Sequence, residues 1–252
     1  MAEKKKKRTK KEQLKIKKVV LTLIVLVLFA LGLNGKQIKK VVGTLEGMSR
    51  PIYASSIDDI PEYTDHSYVI INENEPYFTD EDLTTKSFEE YAPLDVLGRC
   101  GVAYANIGKD IMPDKERGSI GHVKPSGWQT VKYNGIVDGN YLYNRCHLIG
   151  FQLAGENANE RNLITGTRYL NIDGMVDFEN QVAEYVKETG NHVLYRVTPI
   201  FDGLELVARG VQMEALSVED NGEGIKFNVY CYNVQPGVEI DYKDGTSKLS
   251  EQ

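Results

Sequence analysis

The sequence predicts an α+β domain with an antiparallel sheet, preceded by one N-terminal transmembrane helix. Strand-like runs come first, then one helical stretch, then strand-like runs again, and this segregated order is that of an α+β domain rather than of alternating βαβ units. A basic leader is followed by 15 uncharged, almost wholly apolar residues, 19–33, the pattern of an export signal or anchor. A chain of 252 residues with 41% hydrophobic content can bury a normal core, which excludes a disordered protein.

Residues 1–18, with the run KKKKRTKKEQLKIKK, form a basic cytoplasmic leader. In VVLTLIVLVLFALGL, residues 19–33, only Thr22 and Gly32 interrupt the apolar sequence, whereas a buried core helix would show polar positions at helical spacing. The run approaches the roughly 20 residues that span a bilayer. No small-x-small cleavage site follows, since LFALGLNGKQ offers only Ala30 and Gly32. This favours an uncleaved signal anchor; cleavage would instead give a secreted protein. Residues 1–40 carry 13 Lys/Arg against 2 Asp/Glu, a balance of +11, and residues 41–252 carry 17 against 34, a balance of −17. With ten Lys/Arg between Lys4 and Lys18, ahead of the apolar run, the positive-inside bias leaves the N-terminus in the cytoplasm and residues 41–252 outside a single-pass cell-membrane protein.

Residues 34–64, with Gly, Ser and two Pro, read as a juxtamembrane spacer. One mixed domain follows at 65–240, and 241–252 reads as a polar C-terminal tail. SYVIINENEPYF alternates and is rich in β-branched residues, so it predicts a strand leading to a turn, and GVAYANIG predicts another. GIVDGNYLYNRCHL predicts a hairpin whose second strand begins near Tyr141. In RYLNIDGMVDFENQVAEYVKETGNH, Leu170, Val176, Val182 and Val186 lie near helical spacing, and Gly190-Asn191 is a stop signal, so a helix closes near Thr189. HVLYRVTPIF, LVARGVQMEALSV and IKFNVYCYNV are three further strand-like runs between turns.

The segment 144–171, NRCHLIGFQLAGENANERNLITGTRYLN, concentrates the groups capable of chemistry. A Cys beside a His suggests a thiol nucleophile with its base. On an extended strand, however, neighbours point to opposite faces, so Cys146 and His147 cannot pair, and Cys146 packs behind the strand as a small hydrophobe. A cysteine hydrolase using His122 or His192 is a weak third reading. Arg145 and His147 share a face, and a near-neutral base beside a fixed cation suits phosphodiester hydrolysis, in which negative charge grows. A structural His and a surface Arg are the bland alternative. The three cysteines, Cys100, Cys146 and Cys231, are an odd number, so at most one disulfide forms within the chain.

The same segment with the following GMVDFEN resembles the active-site region of the non-specific DNA/RNA endonucleases of the ββα-metal type. It is especially similar to the membrane-anchored DNA-entry nucleases of Gram-positive bacteria. The resemblance spans roughly residues 65–240. It implies a ββα-metal motif with His147 as general base, Arg145 as its companion and Asn171 as the metal-binding residue opening the helix. Glu179, eight residues beyond Asn171, takes the place of the helical glutamate, and Arg117, 30 residues before His147, that of a second phosphate-binding arginine. Asn144 and Cys146 replace the Asp and Gly of the family's Asp-Arg-Gly-His strand end. The implied cofactor is Mg²⁺, with Mn²⁺ as a substitute, and the implied substrates are double- or single-stranded DNA and RNA. Mg²⁺ often keeps several waters and takes only one or two protein oxygens, so Asn171 alone can suffice. Glu179, about 12 Å of helical rise further on, then orients water rather than binding the ion. Helix capping by Asn171 and a solvated position for Glu179 are the structural alternatives. The acidic balance of residues 41–252 runs against a nucleic-acid groove, so phosphate binding has to be local, from Lys109, Lys115, Arg117, Lys124, Lys132, Arg145, Arg161 and Arg168. A non-catalytic surface protein that binds or takes up nucleic acid on the same fold is the competing function.

Overall fold

The computed structural model describes residue 57 and residues 60–251, all within one unit, Ala54–Gln252. The apolar run 19–33 and the basic leader lie outside the described residues. Among the described residues no helix is long and apolar enough to cross a membrane.

In chain order the elements are β1 (Tyr68–Ile70), β2 (Phe88–Tyr91), β3 (Ala103–Ile107), β4 (Tyr143–His147), α1 (Phe151–Ala154), β5 (Leu163–Thr167), a π turn (Leu170–Met175), α2 (Val176–Thr189), β6 (Val193–Ile200), β7 (Gly210–Ser217), β8 (Lys226–Tyr232), β9 (Val238–Ile240) and β10 (Ser247–Leu249). Six strands form one sheet in the order β1-β8-β7-β6-β3-β2, and every pairing in it is antiparallel. The expected α+β class with an antiparallel sheet is therefore the observed one.

Alternation along the central strands builds the core. Val197 pairs with Met213 and Met213 with Val229, so these three align on one face with Tyr195, Ala215 and Phe227. Arg196, Glu214 and Asn228 align on the other face, where Arg196 and Glu214 form a salt bridge. Against the apolar face, α2 lays Phe178, Val182 and Val186 at four-residue spacing. Burying each contributes about 1.5–3 kcal/mol. The helix stops as expected at Thr189, because Gly190 takes a left-handed φ of 74° and its N–H bonds back to the Val186 carbonyl.

β4 and β5 stand outside the large sheet as an antiparallel ribbon, with Arg145 opposite Thr165 and His147 opposite Leu163. The strand expected at Tyr141 starts two residues later, and Tyr141 itself makes only an isolated bridge to Lys132. The expected polar tail at 241–252 is instead folded. β9 and β10 pair, Val238 closes a second small core with Val137, Leu142 and Tyr143, and the Tyr143 hydroxyl donates to the Gly245 carbonyl at 2.9 Å. The spacer assigned to 34–64 also ends early, because Ile57, Ile60 and Tyr63 pack against Ile200, Tyr230 and Tyr232.

Candidate active site

β4 carries His147 at its end, and alternation sets its neighbours apart. Cys146 is buried in the main core with its sulfur 3.5 Å from that of Met175, and burial pushes its thiol up, away from the reactive thiolate. It is the small hydrophobe expected. Its side chain fits because residue 166 across the ribbon is glycine: a Cβ there would lie 2.6 Å from Cys146 Cβ.

His147 is 6% exposed, and both ring nitrogens have partners. Nε2 lies 2.8 Å from the Asn157 carbonyl, which can only accept, so Nε2 carries the proton. Nδ1 therefore holds a lone pair, and Arg117 Nη2 approaches it at 3.3 Å as donor. Burial lowers the imidazole's affinity for a second proton, the Arg117 charge lowers it further, and the Asn157 hydrogen bond opposes both. The result is a neutral base aimed at a cation.

The guanidinium beside the imidazole is thus that of Arg117. Arg145 lines the same cleft, but its Nε donates to the Val123 carbonyl, its Nη2 to the Gly121 carbonyl at 2.7 Å, and its plane lies 4.0 Å over the Trp128 ring. These contacts tie the segment 121–128, just after Arg117, to β4.

Glu179, in the first turn of α2, turns inward. Gly150 receives it, since a Cβ at 150 would lie 2.6 Å from Glu179 Oε2. Burial pushes this carboxyl up to about 8, against a hydrogen bond from Gln152 and the Arg117 charge. Asn171 sits in the π turn, caps no helix and has no hydrogen-bond partner for its side chain among the described residues. In a pure α-helix eight residues leave two side chains about 80° apart. The wider π turn rotates less per residue, which brings Asn171 and Glu179 closer to one face. All five expected residues, Arg117, Arg145, His147, Asn171 and Glu179, line one cleft of about 740 Å³.

Three further contributors escaped the sequence reading. Asn157 acts through its backbone carbonyl, which no side-chain pattern reveals. Asn162 is wholly buried, accepting from Ile149 N at 2.8 Å and donating to Ile149 O at 2.9 Å, so it fixes the loop that follows His147. Gln152 supports Glu179. Asn144, at the replaced Asp position, lines the cleft with an amide nitrogen that is buried and has no acceptor in the protein. Among the described residues no group of three or more His, Cys, Asp or Glu is placed to hold a metal ion. Among the expected site residues the oxygen donors are the Asn171 amide and the Glu179 carboxyl, hard oxygens that fit a cation retaining most of its water.

A profile of the family described as DNA/RNA non-specific endonuclease matches residues 79–219, which include every one of these groups. The chain belongs to the DNA/RNA non-specific endonuclease family. A relative of this endonuclease-family chain is a deoxyribonuclease of Streptococcus dysgalactiae subsp. equisimilis. It is 27% identical over 209 residues, an alignment covering 66% of this chain and 62% of that protein. Among solved structures, NucA from Streptococcus agalactiae matches with a TM-score of 0.66 and 25% identity over 82% of this chain. It has been solved without metal and with a magnesium ion, with 95% and 94% of the respective chains covered. The Sda1 nuclease with bound zinc ion matches with a TM-score of 0.57 and 28% identity over 73% of this chain and 97% of that one.

Proposed function

We propose that the chain is a Mg²⁺-dependent, sugar-non-specific endonuclease that hydrolyses phosphodiester bonds of extracellular DNA and RNA while held in the cell membrane by residues 19–33. The observation that carries the chemistry is the fixed tautomer of His147: the Asn157 carbonyl occupies Nε2–H, which leaves Nδ1 as the basic nitrogen, with its lone pair held by an Arg117 donor that the attacking water has to replace.

His147 Nδ1 takes the proton of the attacking water, and its depressed pKa keeps it unprotonated at neutral pH. Arg117, exposed at the cleft beside it, attracts the anionic phosphodiester and offers hydrogen bonds to its oxygens. Asn171 would hold the cation through its amide oxygen, with Glu179 supporting it from α2. A divalent ion held there would supply positive charge against the negative charge that grows as the phosphodiester is hydrolysed. Mg²⁺ is preferred because both donors are oxygens and because NucA from S. agalactiae binds it; Mn²⁺ can substitute. Arg145 serves by holding the segment next to Arg117 in place.

Supercoiled plasmid and RNA should both be degraded in Mg²⁺ and left intact in EDTA. His147→Ala should lose about 10²- to 10⁴-fold, and His147→Gly should regain part of that rate with added imidazole, following imidazole's own titration. Cleavage that persists in EDTA, or a fully active His147→Ala variant, would sink the reading.

A further inference from the structure

The cleft continues from His147 along β4 toward an aromatic rim. Trp128, Tyr141 and Tyr143 all line it, but Trp128 is half-buried and Tyr143 is buried. Trp128 lies under the Arg145 guanidinium, and Tyr143 is 4% exposed with its hydroxyl bound to Gly245. Tyr141 alone of the three is an exposed side chain, at 47%. The ammonium of Lys132 sits 4.4 Å from its ring centroid. Lys132 is itself exposed and makes no ion pair among the described residues.

The pair is held in place by backbone. Lys132 and Tyr141 form an antiparallel bridge, Tyr133 N donates to Asn140 O at 2.8 Å, and Leu142 N donates to Val131 O at 3.1 Å. The intervening turn uses Gly135, Gly139 and Asn140 at positive φ. A cation without a carboxylate partner and a half-exposed ring that it covers on one face are therefore fixed together, with the ring on the wall of a cleft whose floor carries the phosphodiester chemistry. Aromatic faces stack on any base, and a lysine beside one attracts the phosphate that base carries. A paired base is already stacked within its duplex and cannot offer its face, whereas an unpaired base can.

We propose that Tyr141 and Lys132 form a nucleotide subsite that stacks one unpaired base next to the scissile phosphodiester and so favours single-stranded over duplex substrate. This deepens the endonuclease reading and rests on it.

The test has a binding arm and a cleavage arm, both with the full chain in detergent. In EDTA, a single-stranded tetranucleotide carrying 2-aminopurine should be quenched on binding to the wild type and to Tyr141→Phe, with the quench lost in Tyr141→Ala. In Mg²⁺, Tyr141→Ala should raise KM for a single-stranded 20-mer about 5- to 100-fold. The KM for the matching duplex and both kcat values should stay unchanged. Lys132→Gln should make single-strand binding less steeply dependent on salt, by about one unit of slope. If Tyr141→Ala cleaves normally and leaves the quench and the single-strand KM unmoved, the subsite is refuted and the nuclease stands. A lowered melting temperature with both readouts unmoved would mean that the pair only braces the bridge, which also refutes it. A quench that depends on Tyr141 in a protein that cleaves nothing would uphold the subsite and refute the endonuclease.

Discussion

At the scale of single residues, the sequence showed where His147 and Cys146 go, because a strand's two-residue alternation separates neighbours whatever surrounds them. It did not show which arginine meets the imidazole, since that depends on where residues 117–128 fold back. Glu179 gives a prediction from burial. Its folded pKa of about 8 lies above the ordinary 4.5, so between those values the unfolded chain releases a proton that the folded chain keeps. Stability of the metal-free protein therefore falls as pH rises through that window. His147 acts with opposite sign: its folded pKa lies below the ordinary 6.5, and stability is lost as pH falls beneath that value. Glu179→Gln in EDTA should raise the melting temperature at pH 8 by on the order of a few degrees and change it little at pH 4.5. Equal melting of wild type and variant at both pH values would contradict a buried carboxyl. The contact between Gly166 and Cys146 gives a second prediction. Gly166→Ala puts a Cβ 2.6 Å from Cys146 Cβ and should cost about 1–3 kcal/mol by overpacking. Adding Cys146→Gly should recover most of it in denaturant titrations, and simple additivity of the two changes would disprove the contact.

At the scale of elements, the long central strands and α2 were legible because several apolar side chains repeat at one period and Gly190 marks a stop. Short or polar elements were not. β5, Leu-Ile-Thr-Gly-Thr, follows an Asn-rich turn and is broken by Gly166, and β2 is Phe-Glu-Glu-Tyr with two charges at its centre, so neither has the unbroken apolar or alternating run that signals a strand. The π turn has no sequence signature at all, although it decides how Asn171 and Glu179 face each other. The β9–β10 hairpin was missed because most of its residues are polar and its packing is carried by a few contacts distant in sequence. Removing residues 241–252 takes away the Gly245 carbonyl that receives the Tyr143 hydroxyl, and it strips β10 from Val238. Tyr143 opens the strand that ends at His147, so truncation should lower the melting temperature by several degrees, as a loss of about 1 kcal/mol or more does in a domain of this size. It should also reduce plasmid cleavage. A truncated chain with unchanged melting and activity would show that the hairpin is dispensable.

At the scale of the whole molecule, charge asymmetry sets the expected topology. The ten Lys/Arg between Lys4 and Lys18, just ahead of the apolar run, place the folded unit outside the cell if residues 19–33 act as an anchor. Protease added to intact cells should then degrade the domain, and protection until lysis would overturn the arrangement. The domain itself has a simple topological plan. β3 and β6 are neighbours in the large sheet, and the last residue of one, Ile107, pairs with the first of the other, Val193. Every residue assigned to the reaction, from Arg117 to Glu179, lies in the excursion between those two partners, and so do Lys132 and Tyr141. The chain leaves the sheet, assembles the cleft and returns beside its own point of departure. For recombination among relatives this makes the reaction centre a transferable cassette, exchanged through two junctions that lie side by side on one strand pair, while its buried faces still have to fit the sheet beneath.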